Sequence, residues 1–204
     1  MPYRSFVSNE VLYASLVQSY LQDQVVVQCT SGTRPSAPPT GMVINESDSG
    51  QIKTYNGTSW ITVSDVTGWT SFTPTLTAST TNPSYGSSPT RAGRYTRNGS
   101  LIIGQAQIQF GTSMGTGSGT YRFGLPVTTS VGQSGMPCGY AQLYDSSANA
   151  IANVTCVMNA GGTYMEMWYP ASWPSGSLTT VTNTTPWLWA SSDYLWVNFM
   201  YEVQ

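Results

Sequence analysis

The side chains that could do chemistry here are a few scattered acids, three thiols and a run of large aromatics. Asp145, Glu166 and Asp193, with Glu46 and Asp48 nearer the N-terminus, are the carboxylates from which an acid–base pair for glycoside cleavage would be drawn. Each has a structural reading as well, since Asp48 and Asp145 lie in turn sequences and Asp193 stands before a strand, where it can cap a corner. Nothing in the sequence groups these acids with surroundings that would perturb them, so no catalytic residues are expected. The chain has no histidine. That removes the Ser-His-Asp and Cys-His constellations and every two-histidine metal site.

Cys29, Cys138 and Cys156 are far apart and contain no CxxC, and an odd count does not complete a disulfide framework. They are expected to be buried free thiols, with no metal and no cofactor bound. The segment Asn45-Glu46-Ser47-Asp48-Ser49-Gly50 imitates a calcium loop but lacks the later bidentate glutamate, and reads as a hairpin tip. Trp168, Trp173 and Trp187, among further aromatics and prolines, could stack on the sugar rings of a surface glycan. Large aromatics also fill cores and anchor subunit interfaces, which is the expectation preferred here.

The elements that must position these residues are mostly strands. One helix is expected, over 8–24, where Leu12, Leu16 and Tyr20 recur at i, i+4 and i+8 behind the cap Ser8. Three prolines between Thr33 and Thr40 make a linker, and Gly41 to Val63 reads as a small meander. Its turns are expected at Asp48-Ser49-Gly50 and, as a two-residue hairpin, at Asn56-Gly57. After Trp69, strands are expected over 91–97, 100–110, 120–127, 137–145, 151–158, 163–169 and 194–203. The fold class is therefore all-β: a C-terminal antiparallel sandwich, jelly-roll-like, behind one N-terminal helix and a small meander. The expected domains are 1–40 for attachment, 41–66 for the meander and 67–204 for the β domain.

In the last strand, Leu195, Val197, Phe199, Tyr201 and Val203 occupy one face and Tyr194, Trp196, Asn198 and Met200 the other. Both faces are largely apolar, so the second is expected to meet another subunit. Leu12, Leu16, Tyr20, Trp196 and Met200 are accordingly the candidate interface residues.

Only 8% of the 204 residues are charged, against roughly 25% in ordinary soluble domains. Interfaces deplete charge in this way, and the composition points to surface buried in an assembly. Seven scattered basic residues and a net charge of −2 give no footprint for nucleic acid. No apolar run approaches the ~20 residues of a membrane span, so membrane insertion is not expected.

One arrangement of residues carries a resemblance. Trp69, Phe72-Thr73-Pro74-Thr75-Leu76, Asn82-Pro83, Gly93-Arg94-Tyr95, Asn98-Gly99, Phe110-Gly111 and Gly117-Ser118-Gly119-Thr120-Tyr121-Arg122-Phe123-Gly124 form a spaced frame. This frame resembles the β-structured exterior module of minor tail and fibre-like proteins of tailed bacteriophages, mostly those of actinobacteria. The stretch Asn9-Glu10-Val11-Leu12 to Val25 is similar to their N-terminal helix, and Tyr55-Asn56-Gly57-Thr58-Ser59-Trp60 to a hairpin common in tail adaptors. The resemblance implies a non-enzymatic virion protein, assembled in the bacterial cytoplasm. Its implied partners are two further copies of itself in a homotrimer, other tail or capsid proteins, and a host surface glycan. Capsid decoration or a head fibre is the alternative the same residues allow, and a carbohydrate-binding receptor module is a second.

Overall fold

The computed structural model describes residues 11, 13–15, 26–65, 68–128, 134–159, 162–170 and 177–203. The expected helix, with Leu12, Leu16 and Tyr20, lies almost wholly outside them. Within its span Ala14 and Ser15 are helical and Tyr13 is exposed, and a full helix is no part of the described structure. The chain divides into two units, Met1–Gly68 and Trp69–Gln204.

The first unit is a four-stranded sheet of β1 (Val27–Cys29), β2 (Val43–Glu46), β3 (Gln51–Tyr55) and β4 (Trp60–Asp65), in that order. β1 pairs in parallel with β2, so the proline-rich segment between them is a connection within one sheet. The β2–β3 turn falls at residues 47–50, as the Asp-Ser-Gly signal requires. The β3–β4 turn corrects the two-residue expectation: Tyr55 pairs with Trp60 across four residues. Asn56 explains the longer loop, because its side-chain oxygen accepts from the backbone N–H groups of Thr58 (2.9 Å) and Ser59 (2.8 Å).

The second unit is one continuous sheet, all-β and antiparallel. Its strands are β5 (Thr70–Phe72), β6 (Leu76–Ala78), β7 (Thr90–Asn98), β8 (Leu101–Gln109), β9 (Tyr121–Gly124), β10 (Pro137–Asp145), β11 (Ala150–Met158), β12 (Tyr164–Pro170), β13 (Leu178–Thr180) and β14 (Tyr194–Glu202). They run in the order β5-β7-β8-β14-β10-β11-β12-β9-β6, with β13 paired to β12. The sequence's period-2 alternation is realised without a slip in β14, where Leu195, Val197, Phe199 and Tyr201 are all buried. The last strand in sequence is thus central in the sheet, between β8 and β10.

Two distances show how far the sheet curls. Phe199 on β14 and Phe123 on β9 are four strand spacings apart, which in a flat sheet is about 19 Å. Their ring centroids are 6.4 Å apart. Phe72 on β5, three spacings from β14 on the other side, also meets Phe199, at 6.1 Å. The edge strands β5 and β6 are joined by only Thr73, Pro74 and Thr75, so the chain itself ties one edge of the sheet to the other. The core lies inside this curl, with Trp189, Tyr121, Phe110, Phe123 and Leu76 among its largest fully buried side chains.

Much of the residue frame noted above lies along that closure. Phe72 stands opposite Gly93 and edge-on to Tyr95. The carbonyl of Thr75 accepts from Gly124 N–H (2.9 Å), and Asn82 Oδ1 accepts from Ala78 N–H (2.9 Å). Gly111 abuts the Ser87 carbonyl so closely that a Cβ there would overlap it. Here these residues supply an aromatic over a glycine, a capped corner and backbones that touch.

Candidate functional site

The acids, the candidates for chemistry, are engaged in structure. Asp193 is fully buried and spends its carboxylate on backbone: Oδ1 accepts from Ser146 N–H (3.0 Å) and Oδ2 from Ala190 N–H (2.8 Å). Asp145 closes a turn by accepting from Ser147 Oγ (2.7 Å), Ala148 N–H (3.0 Å) and Ser147 N–H (2.9 Å), and these bonds, the hydroxyl's first, hold its carboxyl below the usual range. Glu166 pairs with Arg122 at 3.4 Å. In the first unit Glu46 is buried against the Arg34 guanidinium and accepts from Ser49 Oγ (2.7 Å), while Asp48 accepts from Ser31 N–H and Oγ. The hydrogen bond from Arg34 depresses the pKa of Glu46. The hairpin-tip reading of residues 45–50 accounts for these bonds, and among the described residues no cluster of acids, cysteines or histidines could hold a metal.

Cys138 and Cys156 are buried, and burial pushes the Cys138 thiol up to about 11 and Cys156 higher still. Cys29 corrects the expectation of three buried thiols, being half-buried on the short strand β1.

The aromatic candidates do not form one platform. Trp168 sits on the outer face of β12, opposite Thr155 and Thr180. Trp187 packs against the core beside Trp189 at 6.1 Å, on the inner side of the curl. Trp173 lies outside the described residues. The indole N–H groups of Trp168 and Trp187 are both buried without a hydrogen-bond partner.

Trp196 and Met200 do share a surface, the outer face of β14, about 13 Å apart along the strand. Around Met200 that face is apolar: Met200 is 57% exposed, Ile103 40% and Tyr140 62%. A bulge between Pro137 and Gly139 ends the β10–β14 pairing at Gly139, which leaves a depression of about 350 Å³ beneath Met200 and Tyr140.

Around Trp196 the same face changes character. Register alone builds two rows there: Ser71, Arg94, Gln105 and Asn198 across β5, β7, β8 and β14, and beside it Ala92, Gln107 and Trp196. The small side chains of Ser71 and Ala92 leave room between the taller ones, and the result is an open trough of about 520 Å³. Tyr194 stacks on Trp196 with ring centroids 4.9 Å apart and planes 15° from parallel, which fixes the indole. Arg94 is fixed from two sides. Its guanidinium lies 4.8 Å from the centre of the Trp69 ring, and its Nε and Nη2 donate to the Gln105 side-chain oxygen at 2.7 and 2.6 Å, an amide orientation assigned from the donors it faces.

The acids and aromatics first singled out gave no sign of this trough, because its members come from four strands. A signal was present in the alternation Gln105-Ala106-Gln107, which puts two amides on the solvent side of a strand whose other face is core. No helix among the described residues is long and apolar enough to cross a membrane. In comparisons with family models, curated proteins and solved structures, nothing matches this chain.

Proposed function

We propose that the chain is a non-enzymatic structural protein of a bacteriophage virion, tail-associated, whose second unit is an exterior module assembled as a homotrimer. In this reading the curled sheet folds over itself as a jelly-roll-like sandwich and the first unit carries the attachment region. The phage assignment rests on the resemblance of the frame from Trp69 to Gly124. The assembly rests on one observation above all: Ile103, Tyr140 and Met200 expose a contiguous apolar patch on a chain with 8% charged residues. Charge-poor apolar surface of this kind is what subunit interfaces cover, and closed symmetry lets identical patches cover one another.

Light scattering on the purified full chain tests the assembly. Three copies of a 22.0 kDa chain give about 66 kDa. Replacing Ile103 and Met200 together by glutamate places charges within the patch and is expected to yield a folded 22.0 kDa monomer. A wild-type chain that is monomeric at micromolar concentration would contradict the proposal.

A further inference from the structure

We infer that the trough beside Trp196 is a binding site for a neutral oligosaccharide of pyranose units. This does not depend on the virion reading or on the trimer. Gln105, Gln107 and Asn198 are amides, each able to donate and accept, and Ser71 adds a hydroxyl with the same capacity. Vicinal sugar hydroxyls also donate and accept, so such a lining matches them in either sense. Trp196 supplies the apolar part. The C–H bonds on the flat side of a pyranose carry a partial positive charge, which suits the negative face of an indole.

Geometry favours this class over others. No carboxylate lines the trough, so neither a cation nor an acid–base cleavage of the sugar is provided for. The single charge is Arg94, and it is already engaged by the Gln105 oxygen and the Trp69 ring, which turns it from an anion trap into a support holding Gln105 in place. That bond also fixes the plane of the Gln105 amide. About 520 Å³ is within the ~300–1,000 Å³ usual for small-molecule sites, and the trough's openness suits a chain that enters and leaves along it. Pre-orientation of Trp196 by Tyr194 and of Gln105 by Arg94 lowers the entropy lost when a ligand orders the site.

The test is a titration of the full chain with cellohexaose, maltohexaose, mannohexaose and chitohexaose, each to about 10 mM, ten times a Kd of about 1 mM. Side-chain amide signals of Gln105, Gln107 and Asn198 and the indole signal of Trp196 are followed by NMR. At least one sugar is expected to move these four with a common saturation curve. Trp196→Ala should weaken that binding at least tenfold and Gln107→Ala about threefold, whereas Trp196→Phe should keep most of it. Melting temperature and oligomeric mass are measured on each variant, and Gln107→Ala, a change of a half-buried amide on the solvent side of β8, carries the test if Trp196→Ala does not fold. Absence of binding by all four sugars, shifts confined to other residues, or a Trp196→Phe variant with a changed number of copies per particle in solution would each overturn the inference.

Discussion

Gly93→Ala is the substitution whose cost follows most directly from the closure of the sheet. Gly93 lies in a strand and its φ is not positive, so alanine suits the backbone. The obstacle is Phe72, directly opposite: a Cβ on residue 93 would stand 2.5 Å from Cε1, 2.7 Å from Cζ and 2.9 Å from Cδ1 of that ring. Comfortable carbon contacts are ~3.5–4.0 Å, so the ring must retreat by about 1 Å. It is held by Tyr95 at 6.0 Å and Phe199 at 6.1 Å, both edge-on, and by the short tie to β6. Overpacking of this kind costs about 1–3 kcal/mol. The second unit, Trp69–Gln204, has an unfolding entropy of about 0.29 kcal/mol/K at ~2.1 cal/mol/K per residue, so each kcal/mol lowers Tm by about 3.5 °C. Calorimetry should therefore show a fall of about 3–10 °C. Adding Phe72→Leu should recover part of it, with a coupling of about 1 kcal/mol in the double-mutant cycle. Strictly additive losses, or a Gly93→Ala protein as stable as the wild type, would refute the packing argument.

Two further outcomes follow from the buried acids and thiols. Glu46 has a folded pKa below its unfolded one, so its contribution is complete above the unfolded carboxylate range, near 4.3, and is lost as pH falls through the folded value. Hydrogen-exchange protection of the β2–β3 amides, corrected for intrinsic rates, should drop between about pH 6 and pH 3, and Glu46→Gln should start lower and vary less; equal pH profiles for the two proteins would refute this. A disulfide-exchange reagent at about pH 8 should titrate at most one thiol per folded chain, Cys29, and all three only in denaturant, because Cys138 and Cys156 are buried with raised pKa values. Rapid reaction of all three in the native protein would contradict the core described here.

Alternation made much of the second unit legible in advance. β14 alternates core and solvent residues so regularly that its inward set, Leu195, Val197, Phe199 and Tyr201, could be named from sequence, since a half-buried strand must repeat every two residues. Strand order was not legible. Nothing local to Phe72-Thr73-Pro74-Thr75-Leu76 reveals that its two ends pair with β7 and β9, at opposite margins of one sheet. The trough was hidden for the same reason: Ser71, Arg94, Gln105 and Asn198 become neighbours only through the registers of three strand pairs. Tryptophan density pointed instead to Trp168 and Trp187, which the curl places on different sides of the sheet. Asn56-Gly57 misled because a side-chain acceptor at Asn56 competes with the two-residue turn that the dipeptide usually signals.

Abundance in particles tests the proposed place of this chain in a virion most directly. On that proposal, density-gradient-purified phage particles released from cells that encode this sequence, analysed by quantitative mass spectrometry against a labelled standard of the chain, should contain it at a fixed copy number that is a multiple of three. A few copies per particle agree with a tail-tip position, whereas tens to hundreds favour the shell-bound alternative. Particles that are complete and infective without the chain would contradict the account.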